Sequence, residues 1–356
     1  MKNVFMILTN GFDPDIRVYK EAKYLIKKHY KVTVLCWDRR CRYKINENRD
    51  GINIVRFPIP SSPGSGLRQL IPYVRFLLKV KRYLKKNKCD FLHCHDFDGA
   101  LIGYLSKLKK AKLIFDMHEI YFHYSYAKIP FFNYYFNQIL KKFHYIIYVT
   151  ESQKKYIANK FHYKLVFLPN YPEKKVYMPI VKAKGDKLRI NYIGSLRDYD
   201  SLITLVKLPK NHSEYEVKLY GMGTAYEKLK NTISDYKKIL YGYYDGIKES
   251  ANIYNHTDIL YCVYNPTVEN WKNAFPVKLY ESIITLTPII VCKKTVAGEF
   301  VLQHQIGEVV DYGDLDALLN AVKKINDNYF KYVEKIKKIS NKYTLEKVIT
   351  NLNQIY

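Results

Sequence analysis

Residues 169–179, PNYPEKKVYMP, decide the fold. With three prolines and no apolar periodicity, the stretch reads as a linker. On either side of it, short β-branched or aromatic runs alternate with longer segments whose apolar residues recur at helical spacing. Strand candidates before it are NVFMIL (3–8), KVTVLCW (31–37), INIVRFPI (52–59), CDFLHCH (89–95), KLIFDMH (112–118), YIIYVT (145–150) and KLVFLP (164–169). Those after it are LRINYIG (188–194), YEVKLYG (215–221), DILYCVY (258–264), PIIVC (288–292) and EVVDY (308–312). Strand–helix–strand alternation requires crossovers, which are right-handed and give largely parallel sheets. The expected architecture is therefore α/β: two doubly wound domains facing a cleft, with ligands at the carboxyl ends of the strands.

The 356 residues suffice for two such domains, and 48% hydrophobic with 26% charged residues is the balance of a globular protein. No run approaches the roughly 18 apolar residues of a membrane-spanning helix. The opening MKNVFMILTN has no small-residue cleavage site and leads straight into DPDIRVYKEA, so it reads as a first strand and the expected location is cytoplasmic. Cys36, Cys41, Cys89, Cys94, Cys262 and Cys292 form no C-x-x-C pair, which speaks against a zinc ribbon or a disulfide framework.

Charge is unevenly distributed. Residues 1–170 hold 32 Lys/Arg against 12 Asp/Glu, a net of +20, whereas residues 171–356 hold 27 against 21, a net of +6. A basic first half calls for an anionic partner: phosphates, a lipid headgroup surface or nucleic acid. Its most basic segment, GLRQLIPYVRFLLKVKRYLKKNK (66–88), sets Arg75, Lys79, Arg82 and Lys86 on one helical face. With the aromatic stretch 121–145 it suits an anionic membrane surface, and it equally suits a helix packed on a sheet with its charges in water.

Several motifs offer chemistry. In NAFPVKLYESIITLTPIIV (273–291), Pro276 suits the first position of a helix and Phe275 cannot cap it. The N–H groups of Val277, Lys278 and Leu279 are then open to an anion, with Lys278 beside them and Glu281 one turn on. An ordinary amphipathic surface helix, with Lys278, Glu281, Ser282 and Thr285 in water, fits the same pattern. In FLHCHDFDG (91–99), strand alternation puts His93 and His95 on one face, and DMHE (116–119) offers His118; a metal-dependent hydrolase is one reading. D-x-D pairs at 13/15, 96/98, 198/200 and 314/316 are explained mostly as caps or turns. LYGMG (219–223) lacks the third glycine of a dinucleotide fingerprint, although its two glycines allow the backbone to run close to a ligand. A nucleic-acid binder, the third class raised by a net charge of +26, lacks any recognised RNA- or DNA-binding motif.

Taken in order, DPDIRVYKEAKYLIKKHYKVTVLCW (13–37), HCHDFDG, FDMHE, VTES (149–152), LPNYP (168–172), YIGSLRDYDSL (192–202), LYGMG and 273–291 resemble family 4 of the nucleotide-sugar glycosyltransferases, retaining enzymes of the two-Rossmann GT-B fold. The resemblance implies an acceptor domain over residues 1–170, a donor domain over 171–340, and a C-terminal helix over 341–356 crossing back to the first. It implies a UDP- or GDP-sugar donor as co-substrate, no metal or other cofactor, and no specific nucleic acid. The implied acceptor is a saccharide or polyprenyl-linked saccharide of a surface glycan, and the basic, aromatic first half places the enzyme peripherally at the inner face of the cytoplasmic membrane. His118, Lys278 and Arg197 become the catalytic candidates, the last two as cations for the departing diphosphate. Glu281 matches the second Glu of the family's Glu-x7-Glu motif and would hold the donor ribose; Asn273 stands at the first. Gly194, Ser195, Gly221, Gly223, Tyr243, Val277 and Leu279 complete the implied donor site, with residues 240–244 toward the base. Asn10, Gly11, Asp13, Arg17, His95 and Asp96 are implied on the acceptor side, with Asn10-Gly11-Phe12 replacing the family's Gly-Gly pair.

Overall fold

The apolar runs become strands buried on both faces, as parallel strands covered by helices must be. The computed structural model describes residues 1–13, 15–62, 66–124, 127, 130–182, 185–210 and 212–356. Its chain forms two units, Met1–Pro169 with Ile349–Tyr356, and Asn170–Val348.

In the first unit the strands are β1 (Asn3–Leu8), β2 (Lys31–Asp38), β3 (Asn46–Arg49), β4 (Ile52–Pro58), β5 (Phe91–His95), β6 (Lys112–Met117), β7 (Tyr145–Tyr148) and β8 (Leu165–Phe167). They lie in the order β3-β4-β2-β1-β5-β6-β7-β8, with β3 antiparallel to β4 and the other described pairs parallel. The sheet is covered by α1 (Ile16–Lys27), α2 (Leu70–Lys86), α3 (Asp96–Ser106) and α4 (Phe132–Lys142). Because β1 pairs with both β2 and β5, the strand order reverses there, and the carboxyl ends of β1 and β5 flank the crevice where doubly wound sheets take ligands. Strand β3, which periodicity does not reveal, has the sequence NENR and is held by its antiparallel register with β4 rather than by apolar burial.

The second unit holds β9 (Leu188–Ile193), β10 (Tyr215–Tyr220), β11 (Leu240–Gly242), β12 (Ile259–Cys262), β13 (Ile289–Cys292) and β14 (Gly307–Val310). Their order is β11-β10-β9-β12-β13-β14, all parallel, so the reversal falls between β9 and β12. Its helices are α5 (Tyr199–Lys207), α6 (Tyr226–Thr232), α7 (Tyr236–Ile239), α8 (Ser250–Asn255), α9 (Glu269–Lys272), α10 (Val277–Ile284), α11 (Val296–His304), α12 (Leu315–Asp327), α13 (Tyr329–Ser340) and α14 (Leu345–Val348). Three of the D-x-D pairs supply caps: Asp15, Asp198 and Asp314 accept from the N–H of Val18, Ser201 and Ala317 at the starts of α1, α5 and α12.

Two expectations need correction. The proline-rich stretch is no free linker: Tyr171 and Tyr177 are buried, Tyr171 packs edge-on against Tyr280 and Tyr343, and Pro172 O accepts from the Leu345 N–H. The stretch from Asn170 belongs to the second unit. At the other end, the run expected as a helix over 341–356 is a single turn, α14, followed by a 3-10 segment (Ile349–Gln354). Ile349–Tyr356 sits on the first sheet, where Asn351 Nδ2 donates to Phe167 O and the Tyr356 hydroxyl lies 2.8 Å from His93 Nδ1.

Candidate functional site

In the second unit, β9 delivers the chain into Gly194-Ser195-Leu196-Arg197, at the reversal of strand order. Gly194 adopts φ +133° and its N–H donates to Tyr220 O at 2.9 Å. Gly221, at φ +128°, approaches so closely that a Cβ there would stand 2.0 Å from Gly194 O. What Gly221 and Gly223 let near is thus the loop after β9, Gly194 O and Leu196 O respectively, rather than a ligand.

Behind this loop lies α10. Pro276, with ψ 141°, is its N-cap and Val277 its first residue, a shift of one position from the expected start. The N–H of Leu279 is taken by Pro276 O at 2.9 Å, so the open first-turn donors reduce to Val277 and Lys278. The surface-helix reading fails: Lys278, Ser282 and Thr285 are buried with the apolar face. Ser282 and Thr285 are accommodated because their hydroxyls donate to Leu279 O (2.8 Å) and Glu281 O (2.7 Å) within the same helix.

Lys278 is different. Its Nζ lies 3.6 Å over the Tyr192 ring and 5.4 Å from the Tyr264 ring centre, and a Cβ on Gly194 would stand 3.0 Å from it. The residue is 7% exposed and the ammonium has no hydrogen-bond partner among the described residues. A desolvated cation without an acceptor is costly, and an incoming anion at the Gly194 loop relieves that cost. Arg197 is exposed, its Nε donating to Ser195 Oγ at 3.0 Å.

Glu281 is held at both oxygens, Oε1 accepting from the Tyr177 hydroxyl at 2.6 Å and Oε2 from the Tyr254 hydroxyl at 2.8 Å. Asn273 turns back on its own helical turn: its Nδ2 donates to Glu269 O (2.9 Å) and Glu269 Oε2 (3.1 Å). Residues 240–242 are strand β11 itself, which leaves Tyr243 as an exposed residue just beyond it. Tyr243 lines a cavity of about 320 Å³ with Tyr220, Tyr241 and Tyr244.

In the first unit, charge gathers under the carboxyl ends of β1, β5 and β6. Arg17 grips Asp116 with two hydrogen bonds (2.9 and 2.8 Å), lies 3.1 Å from Glu21, and donates from Nη1 to Leu168 O at 3.0 Å. Burial works against the guanidinium's charge, but Asp116 and Glu21 more than offset it and raise its pKa. Asp116 Oδ2 also lies 3.1 Å from His95 Nδ1 and 3.0 Å from His118 Nε2. Burial opposes ionisation of Asp116, yet Arg17 and His118 hold it well below the carboxylate range. Glu21, desolvated and facing Asp116, is pushed up to about 8. His95 falls to about 3 through burial and the neighbouring His93, whose ring stacks on it at 4.4 Å. Burial also opposes charge on His118, but Asp96 (3.4 Å) and Asp116 raise it to about 10, so it stands as an imidazolium at neutral pH.

Arg17 and His95, expected on the acceptor side, are therefore spent on internal partners or fully buried. Asn10 and Gly11 shape the loop after β1: Asn10 Oδ1 accepts from the Phe12 N–H, its Nδ2 donates to Asp15, and Gly11 O accepts from Arg56 Nε. Asp13 pairs with Arg49 at 3.6 Å, and Asp96 accepts from the Tyr121 hydroxyl as well as facing His118. Of the residues that could ligate a metal, Glu21, His93, His95 and Asp116 bring ligand atoms within 4.8 Å of one another, a set that does not include the His118 of the hydrolase reading. Both Asp116 oxygens already serve Arg17, whose guanidinium supplies the cation in that cluster. Sequence reasoning passed over Glu21, Tyr177, Tyr192 and Tyr254. Glu21 stands four residues after Arg17, a helical spacing that could have been read; the tyrosines carry no local signal in a chain with 36 of them.

Comparison with known proteins adds to this geometry. The family described as Glycosyltransferase Family 4 matches residues 16–170, and Glycosyl transferases group 1 matches residues 173–343. No sequence among the curated proteins matches the chain. Among solved structures, sucrose-phosphate synthase from Thermosynechococcus elongatus superposes with a TM-score of 0.78 at 14% identity, over 100% of this chain and 98% of that one. Anabaena HepE in complex with UDP-glucose gives 0.72 at 12% identity, over 100% and 99%. WaaG, a glycosyltransferase involved in lipopolysaccharide biosynthesis, gives 0.69 at 12% identity, over 99% of both chains.

Proposed function

The chain belongs to family 4 of the glycosyltransferases, with the GT-B fold, and from that premise we propose a retaining enzyme that moves a sugar from a UDP- or GDP-sugar to a lipid-linked saccharide of a surface glycan. The observation that carries the donor side is Lys278, a buried ammonium set against the Gly194 loop, with no hydrogen-bond partner among the described residues. In the proposed mechanism the donor diphosphate lies across this loop. It receives the Val277 and Lys278 N–H groups, the Lys278 ammonium and the exposed guanidinium of Arg197. These charges stabilise the nucleoside diphosphate as the glycosidic bond to its β-phosphate oxygen breaks. Glu281, oriented by Tyr177 and Tyr254, accepts from the ribose hydroxyls with its remaining lone pairs. The acceptor hydroxyl attacks the anomeric carbon from the leaving group's own face, and the departing diphosphate takes its proton. His118, already protonated, serves as a fixed positive charge of the first unit rather than as a base. At the position of the missing first Glu, Asn273 holds the Glu269 carboxylate, and we assign Glu269 and Asn273 jointly to the sugar hydroxyls.

Membrane attachment is assigned to the first unit. Helix α2 buries Phe76, Leu77, Val80 and Leu84 and exposes a second apolar stripe, Leu70, Ile71, Val74 and Leu78, beside Arg75, Lys79 and Arg82. An amphipathic surface of this kind suits an anionic bilayer. No helix among the described residues is long and apolar enough to cross a membrane.

Calorimetry with UDP, GDP and ADP tests the donor side. One nucleoside diphosphate binds, the affinity collapses in Lys278→Ala, and EDTA leaves it unchanged. Binding of none, or wild-type binding by Lys278→Ala, overturns the reading; loss of binding or activity on chelation returns attention to Glu21, His93, His95 and Asp116.

A further inference from the structure

Between α2, α3 and α4 the first unit contains a cavity of about 500 Å³, in the range of small-molecule sites. Its walls are Trp37, Tyr73, Phe97, Leu101, Phe132 and Ile139. The donor machinery described above has no part in it. It is apolar over most of its lining. Its polar lining includes Arg39, whose guanidinium lies 4.1 Å over the Trp37 ring, Gln69, and one carboxylate, Asp98.

The rim says what would enter. On one side, Leu70 belongs to the exposed apolar stripe of α2; on the other, Tyr135 is exposed together with Tyr134 and Phe131 at the start of α4. Two exposed apolar patches thus flank one apolar cavity, and the helix that bears the first patch carries Arg75, Lys79 and Arg82 in water. Arrays of this composition bind anionic interfaces, placing apolar residues at acyl depth and cations at headgroup level. We propose that the cavity receives a hydrocarbon tail of a phosphate-bearing membrane lipid, with the phosphate left outside on Arg39 and the α2 cations. The proposal rests on the lipid-linked acceptor reading and gives it a place: the tail is held in the first unit, and the saccharide it carries is thereby tethered to the enzyme.

Trp37 makes the proposal measurable. It is 1% exposed, lines the cavity, and is one of only two tryptophans, the other being Trp271. Trp271→Phe leaves it as the sole indole reporter, and bromine on a lipid chain quenches indole emission only at short range. With phosphatidylglycerol vesicles brominated at mid-chain, Trp271→Phe loses most of its indole emission. A monomeric brominated alkyl phosphate, with no bilayer present, quenches it saturably. In Trp271→Phe/Leu101→Phe, where a ring fills the cavity, the protein still sediments with vesicles but keeps its emission. Sedimentation of Trp271→Phe with undiminished emission, failure to bind vesicles, or quenching that Leu101→Phe does not reduce would each overturn the proposal. Should Leu101→Phe not fold, the two measurements on Trp271→Phe still decide it. Nucleoside-diphosphate binding by the same protein separates the readings: retained binding without quenching sinks the tail site alone, whereas absence of nucleotide binding sinks the transferase mechanism itself.

Discussion

The Tyr177 hydroxyl donates to Glu281 Oε1 at 2.6 Å, so a residue of the proline-rich stretch orients a carboxylate of α10. Burial and the Glu281 charge raise the pKa of Tyr177, and the hydroxyl remains a donor throughout the working pH range. A hydrogen bond to a charged acceptor contributes about 1.5–3 kcal/mol. Tyr177→Phe is accordingly expected to weaken donor binding roughly tenfold or more, with Tyr254→Phe acting similarly at Oε2. Initial-rate kinetics should show the loss mainly in the donor KM; an unchanged KM in both variants would remove Glu281 from the donor site.

Gly194 and Lys278 form a second testable pair. A methyl group at Gly194 meets the ammonium at 3.0 Å, and φ +133° is a conformation L-residues rarely adopt. Gly194→Ala should therefore displace the cation and resemble Lys278→Ala, each lowering kcat/KM by about 10²–10³, the scale for losing one preorganised charge contact. Steady-state assays of both, with thermal melts to confirm folding, check this. Lys278→Arg should not restore activity, because the longer planar group cannot occupy the space over Tyr192.

Breaking the Arg17–Asp116 pair should be felt in stability before activity. Asp116→Asn leaves a buried guanidinium without its bidentate carboxylate, a loss of about 3–5 kcal/mol. Denaturant titration of the first unit's transition measures it, and Arg17→Lys should recover little because an ammonium cannot make both bonds.

The same cluster sets the pH response of the fold. His118 is raised to about 10 from an ordinary 6.5, so its contribution is fully present below about 6.5 and is lost as pH rises toward 10. Glu21, raised to about 8, acts in the same direction: the folded state holds its proton longer, so stability falls between about 4.5 and 8. His95, lowered to about 3, acts in the opposite sense and costs stability as pH falls from about 6.5. Melting temperatures across this range should decline toward both ends, and His118→Gln should flatten the alkaline limb.

The long strands were legible because burial on both faces demands continuous apolar runs, as in β2 and β9. Strands β3 and β11 were not: NENR has no apolar residue and LYG spans three positions, so each depends on a neighbour for its conformation. At the site, Lys278 and Glu281 could be named from their pattern, but their surroundings could not. The alternative of a surface helix with Lys278, Ser282 and Thr285 in water stayed open, since sequence carries no record that two hydroxyls would turn back on their own helix and an ammonium would settle on Tyr192. The internal pairing of Arg17 was illegible for a related reason. Its partner Asp116 lies 99 positions away and becomes a neighbour only when β6 enters the sheet.

The return of Ile349–Tyr356 to the first sheet has a temporal meaning. Contacts such as Asn351 with Phe167 and Tyr356 with His93 join positions 184 and 263 residues apart. During synthesis from the N-terminus, the first unit emerges long before the segment that completes it, and domains that emerge early begin to fold early. It must wait, lacking that segment, while the entire second unit is translated. Through that interval the charges around His93 remain reachable by water, and the apolar surface beneath the final 3-10 segment remains uncovered.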